Sequence, residues 1–556
     1  MASLISLLLL LLSTAPTDGG VHHNDHHGHR SSLSNHTTSD APSSQIRQAC
    51  KATRFPEACE STLSHSPFLP PNPSPFDLIL AAANASAAGI QTARSMLQSI
   101  LNASENASDH NRTKAATSCL EFLSYSDRRL SAAFFRAFPT GALADARAWA
   151  SAALLYQYEC WSGLKYLNGT TQVADAMAFL PNQSSNAVGM LAALQRYGAD
   201  TALWGPPQTE RDGYWADHEG SFSFSAAASA GTKDPSPDFM VCKDGGCGYL
   251  TVQAAVDHAP VGSAGRFVIY IKAGVYEETI RVPYDKTNLE FVGDGMGKTI
   301  ITGSLNVGML GVSTYNTATV GVSGDGFRAR NLTIANTAGP DAHQAVAFRS
   351  DSDLSILDTV ELLGHQDTLY AHSLRQLYRN CRISGTVDFV FGNSAAVFES
   401  CLLLFLPRQL NPEHGESSTL SAHGRTDPVQ STGFVFRRCV VNGSDEYVAL
   451  YRRNPAVHRA YLGRPWKEYS RTVFVETYME AIVRAEGWLP WDGDFALNTL
   501  FYGEFGSSGP GANMSARVPW SSQIPEEHLC TYSLDNFIQG NEWVCSNQTV
   551  GEVSRR

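Results

Sequence analysis

Three short segments recur at nearly constant spacing in the C-terminal half of the chain: LDTVEL at 357–362, RNCRIS at 379–384 and ESCLLL at 399–404. Aligned on Thr359, Cys381 and Cys401, they stand 22 and 20 residues apart. Each is a brief β-rich run with polar flanks, too short to bury its apolar side alone. One short strand per period of about 20 residues predicts a parallel β-helix, in which every coil stacks on the one before it. A β-sandwich with coincidental spacing is the competing architecture. It fits less well, because runs such as RFVIYIKAGVY, NLEFVGDG and FRARNLTIANT are broken by Gly, Asn and Asp with few ordinary hairpin signals.

Stacking makes neighbours of residues one coil apart, since parallel strands lie about 4.8 Å from each other. Asp367 and Asp388 are 21 positions apart, and Gln344 and Gln366 are 22 apart. Two carboxylates and two amides are therefore predicted to gather on one face. Asp388 sits in the apolar run TVDFVFG, where a buried carboxylate is costly unless something pairs with it. Cys381 and Cys401 are also one coil apart, and a bridge between them is expected, because that spacing lies within the usual range of disulfide Cα separations.

Two carboxylates at stacking distance titrate jointly, which supplies an acid and a base or nucleophile at one pH. Three uses remain open. The pair could flank a glycosidic oxygen. One carboxylate could attack an ester carbonyl while its partner protonates the departing alcohol. Or the group could be a polar ladder with no chemistry. The glutamines favour acyl chemistry, since side-chain amides are suitable donors to a developing oxyanion, whereas glycoside cleavage develops positive charge on the sugar.

The rest of the chain has a different grammar. At 556 residues it is too long for one core. Residues 45–200 carry helical spacing, as in SPFDLILAAANASAAGIQTARSMLQSIL, with Cys50/Cys59 and Cys119/Cys160 placed for two local disulfides. Residues 201–237 read as a Gly/Pro/Ser-rich linker, and 238–550 hold the β-helix. Residues 1–17, with the apolar run 4–12 too short to span a bilayer, have the form of a signal peptide, so secretion without a stable membrane anchor is expected. Eleven Asn-x-Ser/Thr sites and 11 cysteines suit an oxidising, extracellular setting. The tract HHNDHHGHR within 18–44 is read as a polar tail, not a metal site, and no nucleic-acid partner is expected. Cys242 and Cys247 could close a tight loop and Cys530 could pair with Cys545, which leaves Cys439 as the free thiol.

The blocks AGVYEE (273–278), QAVAFR (344–349), GHQDTLY (364–370), GTVDFVFG (385–392) and LGRPW (462–466) resemble, in order and spacing, the signature blocks of plant pectin methylesterases. Residues 45–200 resemble the inhibitor domain that often precedes that enzyme, a four-helix bundle with two disulfides. The resemblance implies a right-handed parallel β-helix that needs no metal or organic cofactor. It further implies a monomer in the cell wall acting on methyl-esterified homogalacturonan, with inhibitor-type bundles, its own or separate ones, as partners. By motif, Asp388 would be the nucleophile, Asp367 the proton donor and then the base, and Gln366 the oxyanion donor assisted by Gln344. Arg464 would pair with Asp388, Trp466 would offer a face to a sugar ring, and Thr314 would contact substrate. Tyr276 and Glu277 read as structural. His365 stands where the family often has an aromatic residue, and the dibasic cleavage motif common between the two domains is missing: 201–237 offers only Arg211 and Lys233.

Overall fold

A computed structural model of the protein describes residues 43–106, 110–165, 170–215, 236–409 and 416–544. The expected signal peptide, the His-rich tract, Lys233 and Cys545 lie outside these residues. Four long helices, Pro75–Asn106, His110–Ala132, Leu143–Lys165 and Phe179–Tyr197, form an antiparallel bundle. The first follows the hairpin Ser44–Cys50 and Pro56–Ser64, clipped by the Cys50–Cys59 disulfide, and Cys119–Cys160 joins the second and third. Small residues let the helices approach closely: Ala146, Ala150, Ala153 and Ala187 are fully buried. No described helix is long and apolar enough to cross a membrane.

From Phe239 onward the chain winds into a parallel β-helix, and every strand pairing within it is parallel. The site lies on the seven-stranded sheet, which includes Phe348–Ser350, Leu369–Ala371, Val390–Gly392, Glu416–His423 and His458–Gly463. Inside, equivalent side chains stack coil on coil. Tyr378, Phe398, Phe436 and Phe474 form one column with ring centroids 4.8, 4.4 and 4.7 Å apart. Tyr276 is part of the core and donates to the Lys272 carbonyl, as its structural reading requires.

Each coil turns its corner on single residues in the left-handed region. Asn331, Thr359, Asn380, Ser400, Arg438 and Glu476 all have φ between 48° and 58°. Register pairs Asp358 with Arg379 and Arg382 with Leu402, so Thr359 stands against Asn380, one residue off the alignment on Cys381.

The expected Cys381–Cys401 bridge is absent, a correction to the sequence reading. Both cysteines, with Cys439, are buried free thiols. Each donates to a carbonyl of the preceding coil: Cys381 to Leu357 at 3.4 Å, Cys401 to Tyr378 at 3.4 Å and Cys439 to Phe398 at 3.3 Å. The Thr477 hydroxyl continues the same column onto Phe436. Inward-pointing sulfurs thus satisfy backbone acceptors along the core instead of bonding to one another. Cys242–Cys247 does close a tight loop.

The first part of the expected linker is docked rather than loose. Trp204 is buried, Glu210 pairs with Arg471 at 2.7 Å, and the Arg211 guanidinium donates to the Trp520 carbonyl. Trp215 stacks on His528 at 4.5 Å and meets Phe501 edge-on.

Candidate active site

Asp367 and Asp388 fall in register on adjacent coils. Leu369 and Tyr370 pair with Val390 and Phe391, and the Asp367 N–H donates to the Val387 carbonyl at 3.1 Å. Both aspartates turn a corner, with φ of 66° and 51°, a conformation that a short acidic side chain tolerates better than most. Both are buried, at 7% and 5% exposure. The next coil brings Thr419, whose hydroxyl donates to Asp388 Oδ1 at 2.6 Å and accepts the Asp388 N–H at 3.0 Å.

Arg464 supplies the cation that a buried Asp388 needs. Its Nε lies 2.9 and 3.2 Å from the two carboxylate oxygens and its Nη2 lies 2.6 Å from Oδ2. The planar guanidinium fixes the plane of the carboxylate as well as its charge. Its other face covers the Trp491 ring at 4.3 Å. Asp367 has no such fork. Burial first, and then the neighbouring charge of Asp388, push its carboxyl well above the usual carboxylate range, with Arg464 opposing. The two acids therefore occupy contrasting environments, one clamped by a guanidinium fork and the other driven towards its protonated form.

Gln344 and Gln366 are half-buried on adjacent coils, where Ala345 donates its N–H to the Gln366 carbonyl at 3.1 Å. Trp466 packs edge-on against Phe391 at 5.9 Å and Tyr370 at 6.5 Å, while Tyr370 and Phe391 stack at 4.1 Å. These rings form an apolar shelf beside Asp388. Thr314 opens the short turn Thr314–Thr317, and among the described contacts none joins it to either aspartate. His365 is half-buried, and burial lowers its pKa despite Asp341 nearby.

The bundle covers this shelf. Tyr370, Phe391 and Trp466 belong to the same apolar cluster as Phe122, Tyr156 and Trp149 of the bundle. Glu159 accepts from the Tyr370 hydroxyl at 3.0 Å and lies 2.7 Å from His372 Nε2, whose Nδ1 lies 2.5 Å from Asp351. Trp149 donates to Asp353, Arg375 joins Asp353 to Asp145 of the bundle, and Arg129 forks onto Asp325. Sequence reading missed these contacts, since nothing in a single chain marks which acids of one half meet which bases of the other.

Comparison with known proteins gives two family matches: Pectinesterase over residues 238–541 and Plant invertase/pectin methylesterase inhibitor over 44–190. The chain is 53% identical over 509 residues to "Probable pectinesterase/pectinesterase inhibitor 64" of Arabidopsis thaliana, covering 90% of this chain and 84% of that protein. It is 38% identical over 472 residues to "Pectinesterase/pectinesterase inhibitor PPE8B" of Prunus persica, covering 82% and 85%. The solved structure "Pectin methylesterase from Carrot" matches with a TM-score of 0.54 at 43% identity, covering 57% of this chain and 97% of that one.

Proposed function

The chain belongs to the pectinesterase family, and on that premise we propose that it hydrolyses methyl esters of homogalacturonan through an acyl-enzyme on Asp388. The observation that carries this reading is the asymmetry of the two acids. Arg464 and Thr419 hold the Asp388 carboxylate in a fixed plane, whereas Asp367 is buried with no guanidinium fork of its own and is pushed up despite Arg464. A raised acid beside a clamped carboxylate suits one proton donor and one nucleophile.

Asp388 attacks the ester carbonyl carbon, and the side-chain amides of Gln366 and Gln344 take the developing oxyanion. Asp367 gives its proton to the departing methanol. Its carboxylate then takes a proton from the water that cleaves the acyl-aspartate, restoring both groups. Trp466 and the neighbouring rings carry the sugar chain, with Thr314 at the substrate's edge. The apolar leader and the Asn-x-Ser/Thr sequons support a secreted, wall-located enzyme. An acidic chain is expected to hold its polyanionic product weakly.

We further read the bundle as a cover that keeps the enzyme quiet, because it occupies the aromatic shelf. His372 tightens the cover. Burial alone would lower its pKa, but Asp351 and Glu159 carry it up to about 9. Asp351 stays beside His372 when the bundle leaves, so docking adds only the share due to Glu159; that share is present while His372 is protonated and disappears as pH rises through about 9.

The test is methanol release from esterified pectin by the full chain and by a form cut after the bundle. If 99% of molecules are covered, release of the bundle raises kcat/KM by about 100-fold. The gain should shrink towards pH 9 as the covered form loosens. Equal rates for both forms at all pH values would remove the cover from the account. Absence of methanol from both would remove the esterase.

A further inference from the structure

A second opening, a cavity of about 380 Å³, lies where four parts of the chain meet, away from the two aspartates. The bundle contributes Arg147, the docked segment contributes Glu210, the β-helix contributes Arg425 and Arg471, and the C-terminal turns contribute Phe537. Exposed Gln195 and Arg196 mark its mouth. Its charges do not balance. Arg471 pairs with Glu210 at 2.7 Å and donates to the Thr432 carbonyl. Arg147 donates to the Val429 carbonyl, and Arg425 to the Pro428 carbonyl. Asp427, nearby, is engaged by Ser185, the Val429 N–H and Arg54. Arg375 also lines the cavity, but its guanidinium is taken by Asp353 and Asp145. Apart from exposed Arg196 at the mouth, three guanidinium groups thus share one lining carboxylate, Glu210.

Of these three, Arg425 feels the imbalance most and is the least exposed to water. The residue is 3% exposed and its Nε has no hydrogen-bond partner. Burial and then Arg471 lower its pKa to about 9, and burial with Arg471 lowers Arg147 to about 10. A buried cation with too few counter-charges is an unfavourable arrangement that an incoming anion relieves. Guanidinium forks match the oxygens of phosphates and carboxylates, and Glu210 already acts as such an anion from within the chain.

We propose that this cavity binds a small divalent oxyanion, inorganic phosphate or a short dicarboxylate, which fastens the helical bundle to the β-helix. The anion bridges Arg147 on the bundle to Arg425 and Arg471 on the coils. A ligand that binds only the assembled form stabilises it by mass action.

The test is thermal unfolding of the full chain in sodium phosphate, in digalacturonate and in sodium chloride at matched ionic strength. Phosphate, digalacturonate or both are expected to raise Tm by about 2–3 °C at a hundredfold excess over the dissociation constant, with no rise in chloride. The arm that responds identifies the source. Arg425→Gln is expected to lose the shift. Should that variant fail to fold, Arg147→Gln, on the half-buried rim, is expected to lose it too. Equal shifts in all three salts, no shift in any, or a full shift retained in Arg147→Gln would overturn the proposal.

Discussion

Replacing Asp388 by asparagine is expected to lower kcat/KM for methanol release by about 10⁴-fold or more, as loss of a nucleophile does in enzymes whose groups act as a unit. The amide keeps the shape of the side chain and can still accept from Thr419, so the corner should persist. It cannot attack an ester carbonyl. Arg464 loses its counter-charge, but 23% of its side chain remains open to solvent, so the stability cost should be about 1–3 kcal/mol rather than the full value for a sealed charge. The comparison should be made on the form freed of its bundle, so that the cover does not mask the loss. A polar ladder without chemistry predicts the reverse pattern: lower stability, with methanol release falling only in proportion to folded protein. A near-normal rate from folded Asp388→Asn would sink the nucleophile assignment.

The residues that sequence reading placed correctly are those governed by a regular repeat. Asp367 and Asp388 lie one uninterrupted coil apart, so an interval of 21 was enough to stack them. Thr419 is equally close to Asp388 but escaped, because the pairing of Val390 with Ser421 spans 31 residues. The excursion between strands Leu402–Phe405 and Glu416–His423 adds ten residues to that coil and breaks the period. Arg464, farther along, was reachable only through the family's LGRPW block. The cysteine error has a different origin. Spacing fixed the neighbours correctly, but whether two adjacent side chains bond each other or the backbone depends on which way the sulfurs point. Composition misled in the segment after the bundle too. Its Gly and Pro content suits a linker, yet Trp204, Glu210 and Trp215 each find a tertiary partner.

Asp367→Asn separates catalysis from stability at the other carboxylate. Loss of a positioned acid and base is expected to reduce kcat by about 10²- to 10⁴-fold, while the folded protein becomes more stable at neutral pH. Burial and the charge of Asp388 raise the Asp367 carboxyl, so the native state favours its neutral form. The sign follows from linkage. The neutral acid's contribution is fully present below the unfolded value of about 3.9 and is lost as pH rises through the raised folded value. Asparagine keeps a neutral side chain of the same shape at every pH. The variant should therefore match the parent in thermal unfolding near pH 4 and exceed it at pH 7. Lower stability at pH 7 would mean that Asp367 is held as an anion in the resting site, and the proton for methanol would have to come from elsewhere. The activity profile supplies an independent reading, since the parent should lose kcat on the alkaline side as Asp367 gives up its proton. The residual activity of Asp367→Asn should lack that limb, because no proton is left there to lose.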